Sequence, residues 1–439
     1  MTMPAFKPTA RPIPADAVPT TELKKYVPHL TLVERDRRWS RTRSRMNFAE
    51  LDALVFLGND IFSGMGMANL RYMFQLDSLL GGDALFPAVG SPVVWTGIIH
   101  MNRPFNPFPT MHDWVSDVRG RAGIGGIANE LRARGLQRAR IGLVGYSSTL
   151  QRTPSLLHRD VEGLRSLLPE AKFVEASWLI EEMRSVKSEE EIEMLRGAGR
   201  IARKTVDALI ETARPGIPEA VVYAEMIKTQ IANGAEPNMF NLWASGPVEH
   251  PETELWHLLH GSEQPIAPTM RPLASGDIIL SELHTKYGGY RCHTEYTVYL
   301  GRQAPRQLLR IWDVAVECLH ASKAALTAGR TIGEAVAMIR KPADAAGLDW
   351  VELGFHAMGT ASPEHPSVVY PTGYGADAIN GTHISDMVLE EGMCFGNNIN
   401  LHDANWKVDV GVMLADFMVV REKEAEVLVN TPLELAQIA

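Results

Sequence analysis

Cysteine is scarce in this chain of 439 residues. Only Cys292, Cys318 and Cys394 occur, an odd count without CxxC spacing. A disulfide framework and a structural zinc site are therefore not expected, and a reducing cytoplasm is the favoured compartment. The chain also lacks an apolar run approaching the roughly 18 residues of a spanning helix, and its first residues contain no apolar signal-peptide core. We expect neither secretion nor insertion into a membrane.

Excess positive charge is missing as well. Lysine and arginine number 43 against 52 aspartates and glutamates, which gives a formal net charge of −9. An acidic chain repels phosphate backbones and anionic headgroups, so neither nucleic acid nor a membrane surface is an expected partner. The apolar content of 45% is typical of a globular protein, and the length favours two or three domains.

The first 180 residues predict an extended arm followed by an α/β domain. Residues 1–30 contain six prolines and no apolar period, which favours an arm that could lie along a partner subunit. Apolar runs then predict buried strands at 51–58, 95–101 and 139–145, and the spacing at 127–135 predicts a helix that ends at Gly135. Strands that alternate with helices indicate an α/β layer over 31–180.

A capping box predicts the start of the second half of the chain. Ser188 is followed three residues later by Glu191, and apolar residues then recur at helical spacing as far as Leu209. A long amphipathic helix should therefore begin near Ser188 and end near Arg214-Pro215-Gly216, with a domain boundary at about 180. Further helices are predicted at 219–233, 305–327 and 332–346, and strands at 278–283, 290–300, 408–420 and 425–429. This mixture indicates an α+β class for residues 181–439.

Several segments of the second half occur in an order typical of one family. They are RSVKSEEEIEMLRGAG (184–199), ASGP (244–247), SGDIILSELHTKYGGYRCHTEYTVYLG (275–301), FHAMG (355–359), LEEGMCFGNNI (389–399) and GVMLADFMVV (411–420). Together they resemble the motifs of the creatinase, prolidase and aminopeptidase P family. The resemblance implies an α/β N-terminal domain at 31–180, an α+β pita-bread catalytic domain at 181–439, and usually a homodimer.

The metal positions of that family are the point at which this chain differs. Its metallopeptidases hold two divalent metals with two aspartates, a histidine and two glutamates. Aligned on the surrounding residues, these positions fall on Glu282, His293, His356, Asn398 and Ala415. Ala415 offers no donor atom and Asn398 brings a neutral amide. We therefore expect no dinuclear centre and assign neither a metal nor another cofactor.

The spacing of this segment nevertheless predicts a pocket. Glu282 and His293 are 11 residues apart, so a hairpin that turns about Tyr287-Gly288 would set them opposite each other. By the period of two along a strand, two further side chains share that face, and the resemblance adds a third from elsewhere: His284, Glu295 and His356. The cluster suits either a metal-free proton-transfer site or a site for a single metal ion.

More histidines are candidates for substrate contact. His250, His257 and His260 follow the ASGP segment, where the family places a substrate-contacting histidine and creatinase its catalytic base. His365 stands at the place of a second family histidine near the substrate, and we expect its neighbour Glu364 to lie in a solvated loop.

The favoured interpretation is a creatinase-like small-molecule hydrolase that cleaves a C–N bond without metal. The catalytic candidates are Glu282, His293, His356 and His260. The substrate-binding candidates are His257, His284, Glu295, His365 and Asn398. Three alternatives stay open: an Xaa-Pro aminopeptidase or dipeptidase with a rearranged metal site, a lyase acting on a small cationic compound, and a non-catalytic binding module.

Overall fold

A computed structural model of the chain describes residues 26–58, 65–76, 81–96, 99–100, 103–104, 111–120, 123–145, 156–237, 241–252, 254–256, 268–350, 354–367, 378–379 and 382–439. The chain divides into two compact units, 1–184 and 185–439, close to the boundary predicted at about 180. Most of the proposed arm lies outside the described residues. No helix in the described part of the chain is both long and apolar enough to cross a membrane.

The first unit is organised around a six-stranded mixed sheet. The strands of the unit are β1 (Ala53–Gly58), β2 (Gly82–Pro87), β3 (Val93–Thr96), β4 (Ile99–His100), β5 (Arg103–Pro104), β6 (Asp117–Gly120), β7 (Arg140–Val144) and β8 (Lys172–Glu175). Its helices are α1 (Leu32–Phe48), α2 (Ala68–Phe74), α3 (Met111–Trp114), α4 (Gly123–Ala133), α5 (His158–Leu167) and α6 (Ser177–Ser185). The sheet order is β6-β3-β2-β1-β7-β8, and β4 pairs with β5 separately.

The apolar run of β1 is buried along its whole length, as a central strand requires. It pairs antiparallel with β2 and parallel with β7, and helices connect the parallel strands. This arrangement confirms the α/β class. The single strand predicted at 95–101 is wrong, because β3 ends at Thr96 and Ile99–His100 forms a separate ribbon with β5.

The second unit contains two large sheets with helices packed against them, and a separate ribbon of two short strands at 378–379 and 382–383. Its helices are α7 (Glu189–Thr212), α8 (Glu219–Ala232), α9 (Arg306–Ala325) and α10 (Ile332–Ala346). Its strands are β9 (Asn241–Pro247), β10 (Asp277–Tyr287), β11 (Tyr290–Leu300), β12 (Asp349–Trp350), β13 (Gly354–Ala357), β14 (Glu364–Ser367), β15 (Ala378–Ile379), β16 (Thr382–His383), β17 (Cys394–Asp403), β18 (Lys407–Val419), β19 (Glu426–Val427) and β20 (Ala436–Ile438). One sheet has the order β20-β11-β10-β9 and the other β14-β13-β17-β18-β19, with β12 beside β17.

Helix α7 begins with the predicted capping box. The Ser188 hydroxyl accepts a hydrogen bond from the Glu191 amide at 3.3 Å, and the Glu191 carboxylate accepts one from the Ser188 amide at 3.0 Å. The helix ends at Thr212, slightly before the end predicted near Arg214-Pro215-Gly216. Gly199 faces the chain near the C-terminus, where an added Cβ would lie 2.4 Å from the Leu428 carbonyl oxygen. Close packing of α7 therefore requires glycine at this position.

The hairpin of β10 and β11 has a two-residue turn at Gly288-Gly289. Both glycines have positive φ, 58° and 84°, which a tight turn of this kind requires. The predicted turn at Tyr287-Gly288 is therefore wrong by one residue, and the predicted pairing by two. Two site pairs stand opposite each other in the observed register: Glu282 with Glu295, and His284 with His293. Because the shift is even, all four side chains keep to one face.

Candidate active site

The hairpin brings two glutamates and two histidines together inside the second unit. Glu282 is 7% exposed, His284 2%, and His293 and Glu295 are fully buried. The His284 Nε2 atom lies 2.7 Å from Glu282 Oε1, which is a hydrogen bond. The His293 Nε2 atom lies 3.5 Å from the same oxygen and 3.7 Å from Glu295 Oε1. His284 and Glu295 both occupy interior positions of long strands.

His356 joins this cluster from the second sheet. It lies on β13, and its ring centroid is 5.4 Å from that of His293. Its partner across the ladder is Gly396 of β17, where an added Cβ would stand 2.8 Å from His293 Nδ1. The absence of a side chain at Gly396 therefore leaves room for the two imidazoles to approach.

Two asparagines of β17 hold the Glu295 carboxylate. The Asn398 amide nitrogen donates to Glu295 Oε1 at 3.0 Å. We assign the Asn400 amide with its nitrogen toward Glu295 Oε2, at 2.8 Å, because the opposite orientation places acceptor against acceptor. Asn400 was not among the sequence candidates. The signal that could have found it is the period of two along a strand that contains Asn398.

The donor set does not fit the two-metal centre of the family. Ala415 stands directly opposite Asn398 and is buried, and its side chain has no donor atom. Its carbonyl oxygen accepts hydrogen bonds from the hydroxyls of Thr294 and Thr431, at 2.9 and 2.8 Å. The Asn398 amide is turned to Glu295. Of the four positions at which the family has carboxylates, only Glu282 keeps one, and a bridging pair of metals has no ligands on the side of Asn398 and Ala415.

Burial moves the pKa values of the cluster in opposite directions. Desolvation lowers the pKa of His284 to about 3 and that of His356 to about 4, and holds the pKa of His293 well below its usual range. Desolvation also raises the pKa of Glu282, against the attraction of the neighbouring histidines. The imidazoles therefore stay neutral, and the neighbouring Glu282 carboxyl group retains its proton more readily. Together they can act as an acid–base pair.

Ser362 is a further neighbour that sequence patterns did not indicate. Its hydroxyl oxygen lies 3.0 Å from His284 Nδ1, on the opposite side of the ring from Glu282. The residue comes from the segment between β13 and β14, 78 positions away from His284 along the chain. No local period relates two such positions.

The segment around Glu364 is buried, so the predicted solvated loop is wrong. The Glu364 carboxylate pairs with Lys187 Nζ at 2.8 Å, and both side chains are almost fully enclosed. His365 is also buried, which lowers its pKa to about 4, with Lys187 adding to the effect and Glu364 opposing it. The structure thus places His365 beside this ion pair. His250 is exposed, and His257 and His260 lie outside the described residues.

Comparison with known proteins identifies the family. The model of metallopeptidase family M24 matches residues 193–422. The chain belongs to this family. Ectoine hydrolase from Halomonas elongata is 25% identical to this chain, here called the M24 protein, over 273 residues, which cover 61% of the chain and 64% of that relative. Xaa-Pro dipeptidase from Lactobacillus helveticus is 26% identical over 276 residues, which cover 62% and 67%. The chain thus spans about two thirds of the length of these relatives.

Solved structures agree with the expected fold of the M24 protein. The Xaa-Pro dipeptidase from Bacillus anthracis has a TM-score of 0.70 at 20% identity, covering 92% of this chain and all of that one. The X-Pro aminopeptidase from Thermotoga maritima has a TM-score of 0.71 at 16% identity, covering 91% and 99%. These likenesses confirm the α/β domain followed by a pita-bread domain. At family level, the named relatives are hydrolases of C–N bonds.

We predict that Lys187→Met lowers the free energy of unfolding by about 3–5 kcal/mol, because it leaves the Glu364 carboxylate buried without its cation. The double variant Lys187→Met/Glu364→Gln should recover part of this loss. Chemical denaturation followed by circular dichroism measures both. The matched control is Lys286→Met, which removes a more exposed ion pair with Glu236 and should cost at most about 1 kcal/mol. Equal costs for the two single variants would contradict the prediction.

Proposed function

We propose that the M24 protein is a creatinase-like hydrolase that cleaves a C–N bond of a small molecule by acid–base chemistry, without the dinuclear metal centre of its family. One observation carries the proposal. Buried histidines and glutamates form one cluster, while the last two metal-ligand positions of the family are occupied by Asn398 and Ala415. The relative named ectoine hydrolase supports a small-molecule substrate.

His293 is the proposed general base. Its ring is fully buried, and neither ring nitrogen makes a hydrogen bond to any described residue. A neutral imidazole in this position can accept a proton from water as the water attacks the carbon of the C–N bond. His356 stands beside it and is the second candidate for this role.

Glu282 is the proposed general acid. Burial favours its protonated form, and its Oε1 atom lies 3.5 Å from His293 Nε2. A carboxyl group in this state can give its proton to the leaving nitrogen and recover one from the imidazole afterwards. The two groups therefore divide the acid and base roles within a few ångströms.

The remaining polar groups favour a small cationic or amide-bearing substrate. Glu295 supplies a second carboxylate, held by two asparagine amides. The Asn398 Oδ1 atom is buried and has no hydrogen-bond partner among the described residues, so it can accept an N–H group of the substrate. His284, His257, His260 and His365 remain proposed substrate contacts or, for His260, a proposed base.

Metal content and chelation test the proposal. We expect the purified protein to contain less than one equivalent of transition metal per chain, and activity on small amides and amidines to survive dialysis against a chelator. Elemental analysis and rate assays on the dialysed protein measure this. Two metals per chain, with chelator-sensitive cleavage of Xaa-Pro dipeptides, would favour the peptidase alternative. An unsaturated product without uptake of water would favour the lyase, and binding without turnover would favour the binding module.

Histidine variants test the assignment of roles. His293→Ala and His356→Ala should each reduce the rate by about 10²- to 10⁴-fold, because each removes acid–base assistance. Folding should survive, as judged by thermal unfolding, because these side chains add little to the apolar core. His320→Ala, which removes an exposed histidine of α9, is the matched control and should leave the rate unchanged. Near-parental rates in both site variants would refute the placement of the active centre.

The pH dependence of kcat/KM gives an independent check. Because burial lowers the pKa of His356 to about 4 and holds that of His293 well below 6.5, the base stays neutral in mildly acidic solution. The rate should therefore show no loss centred at pH 6.5, and should fall at higher pH once Glu282 loses its proton. The same histidines lower the free energy of unfolding as the pH drops below 6.5, because they then bind protons in the unfolded chain but not in the folded protein. Thermal unfolding at each pH separates the two effects.

We also propose a cytoplasmic homodimer. The three cysteines are buried free thiols, which suits a reducing compartment. The family resemblance favours a dimer, and the first unit exposes several large apolar side chains, among them Phe48 and Val89 at 87% and 90%. Light scattering should give twice the chain mass of 48.5 kDa. A stable monomer at micromolar concentration would contradict the assembly.

A further inference from the structure

We propose that Glu282, His284 and His293 bind one transition-metal ion from solution, and that this ion inhibits the hydrolysis proposed above. The binding site stands on geometry alone. Only the inhibition rests on the proposed function. The site shares Glu282 and His293 with the family's ligand positions, but its third ligand, His284, lies outside them, and it holds one ion instead of two.

The donor atoms are close enough to share one ion. One ligand atom from each of the three residues lies within 4.8 Å of the other two. Tetrahedral zinc, with bonds of about 2.0–2.1 Å, places its ligand atoms about 3.3 Å apart. The 3.5 Å between His293 Nε2 and Glu282 Oε1 already matches this spacing. The 2.7 Å hydrogen bond between His284 and Glu282 must open slightly as its proton leaves.

Unpartnered donors point to a ligand in this place. His293 is fully buried, yet neither of its ring nitrogens has a hydrogen-bond partner in the described part of the chain. Buried polar atoms are rarely left in this state, so a ligand is expected to satisfy them. His356 has an unpartnered Nδ1 as well, and its ring stands next to that of His293.

Ser362 contacts the proposed ligand His284 on the side of the ring away from Glu282. A histidine that binds metal usually gives its other ring N–H to a neighbouring acceptor, which sets the tautomer. The Ser362 hydroxyl oxygen is placed to accept from His284 Nδ1 at 3.0 Å. The lone pair of His284 then lies on Nε2, the atom that faces Glu282.

The same geometry limits the site to one ion and selects its kind. Asn398 and Ala415 provide no carboxylate for a second ion. Two imidazoles and one carboxylate favour zinc, copper or nickel over magnesium or calcium, which prefer oxygen ligands. Such an ion takes the lone pair of His293 and the carboxylate of Glu282. These are the groups that the proposed hydrolysis uses as base and acid, so metal and catalysis compete.

Calorimetric titration of the full-length protein with zinc chloride, after dialysis against a chelator, tests the site. We expect one saturable site per chain. Glu282→Gln and His284→Ala should abolish it, and Ser362→Ala should weaken it by about 10- to 100-fold. His320→Ala is the matched control and should bind like the parent. Glu282→Gln preserves side-chain shape, so it remains decisive if His284→Ala does not fold.

Three results would overturn the proposed binding site. They are the absence of saturable zinc binding, zinc binding that persists in both Glu282→Gln and His284→Ala, and the loss of two ions together in Glu282→Gln. Rate assays at increasing zinc then separate the two proposals. Inhibition that follows the binding curve supports both. Zinc binding that activates turnover overturns the inhibition and the metal-free mechanism but keeps the site. No binding, with chelator-resistant turnover, overturns the site and leaves the proposed function standing.

Discussion

Desolvation of ionisable groups is the constraint on which the candidate site depends. Charged or polar side chains that leave water must find partners inside the protein or change their protonation state. Both outcomes occur in the second unit. Glu295 keeps two amide donors and Glu364 keeps a lysine, whereas the histidines of the cluster have pKa values far below the usual range. The resulting cluster combines neutral imidazoles with carboxyl groups at hydrogen-bonding or near hydrogen-bonding distances.

The residues of this cluster come from two sheets. The β10–β11 hairpin supplies a compact set of four ionisable side chains, because its glycine turn fixes which residues stand opposite each other. The second sheet supplies His356 together with the asparagines, and Gly396 leaves the space in which the histidines meet. A substitution at Gly396 would therefore act on the site through His293, although glycine itself has no chemistry to contribute.

The candidate site lies in the domain matched by the M24 family model. The positions that the motif alignment assigns to the family's metal ligands lie on paired strands, with Glu282, His293 and His356 on one side and Asn398 and Ala415 on the other. Imidazole can both move protons near neutral pH and bind transition metals. Because of this double capacity, the same cluster suits both the proposed metal-free hydrolysis and its proposed inhibition by a metal ion.

The sequence by itself determined the class of each domain, the capped start of α7 and the shared face of Glu282, His284, His293 and Glu295. These features follow from local periods and local hydrogen bonds, which a reader of the sequence can count. The turn of the β10–β11 hairpin was predicted one residue too early, because adjacent glycines allow more than one turn position. Only the tertiary structure decided that Ser362 reaches His284, that the asparagines hold Glu295 and that Lys187 pairs with Glu364. Each of these pairs is separated by many tens of residues, and packing between sheets and segments, rather than any repeating pattern, brings them into contact.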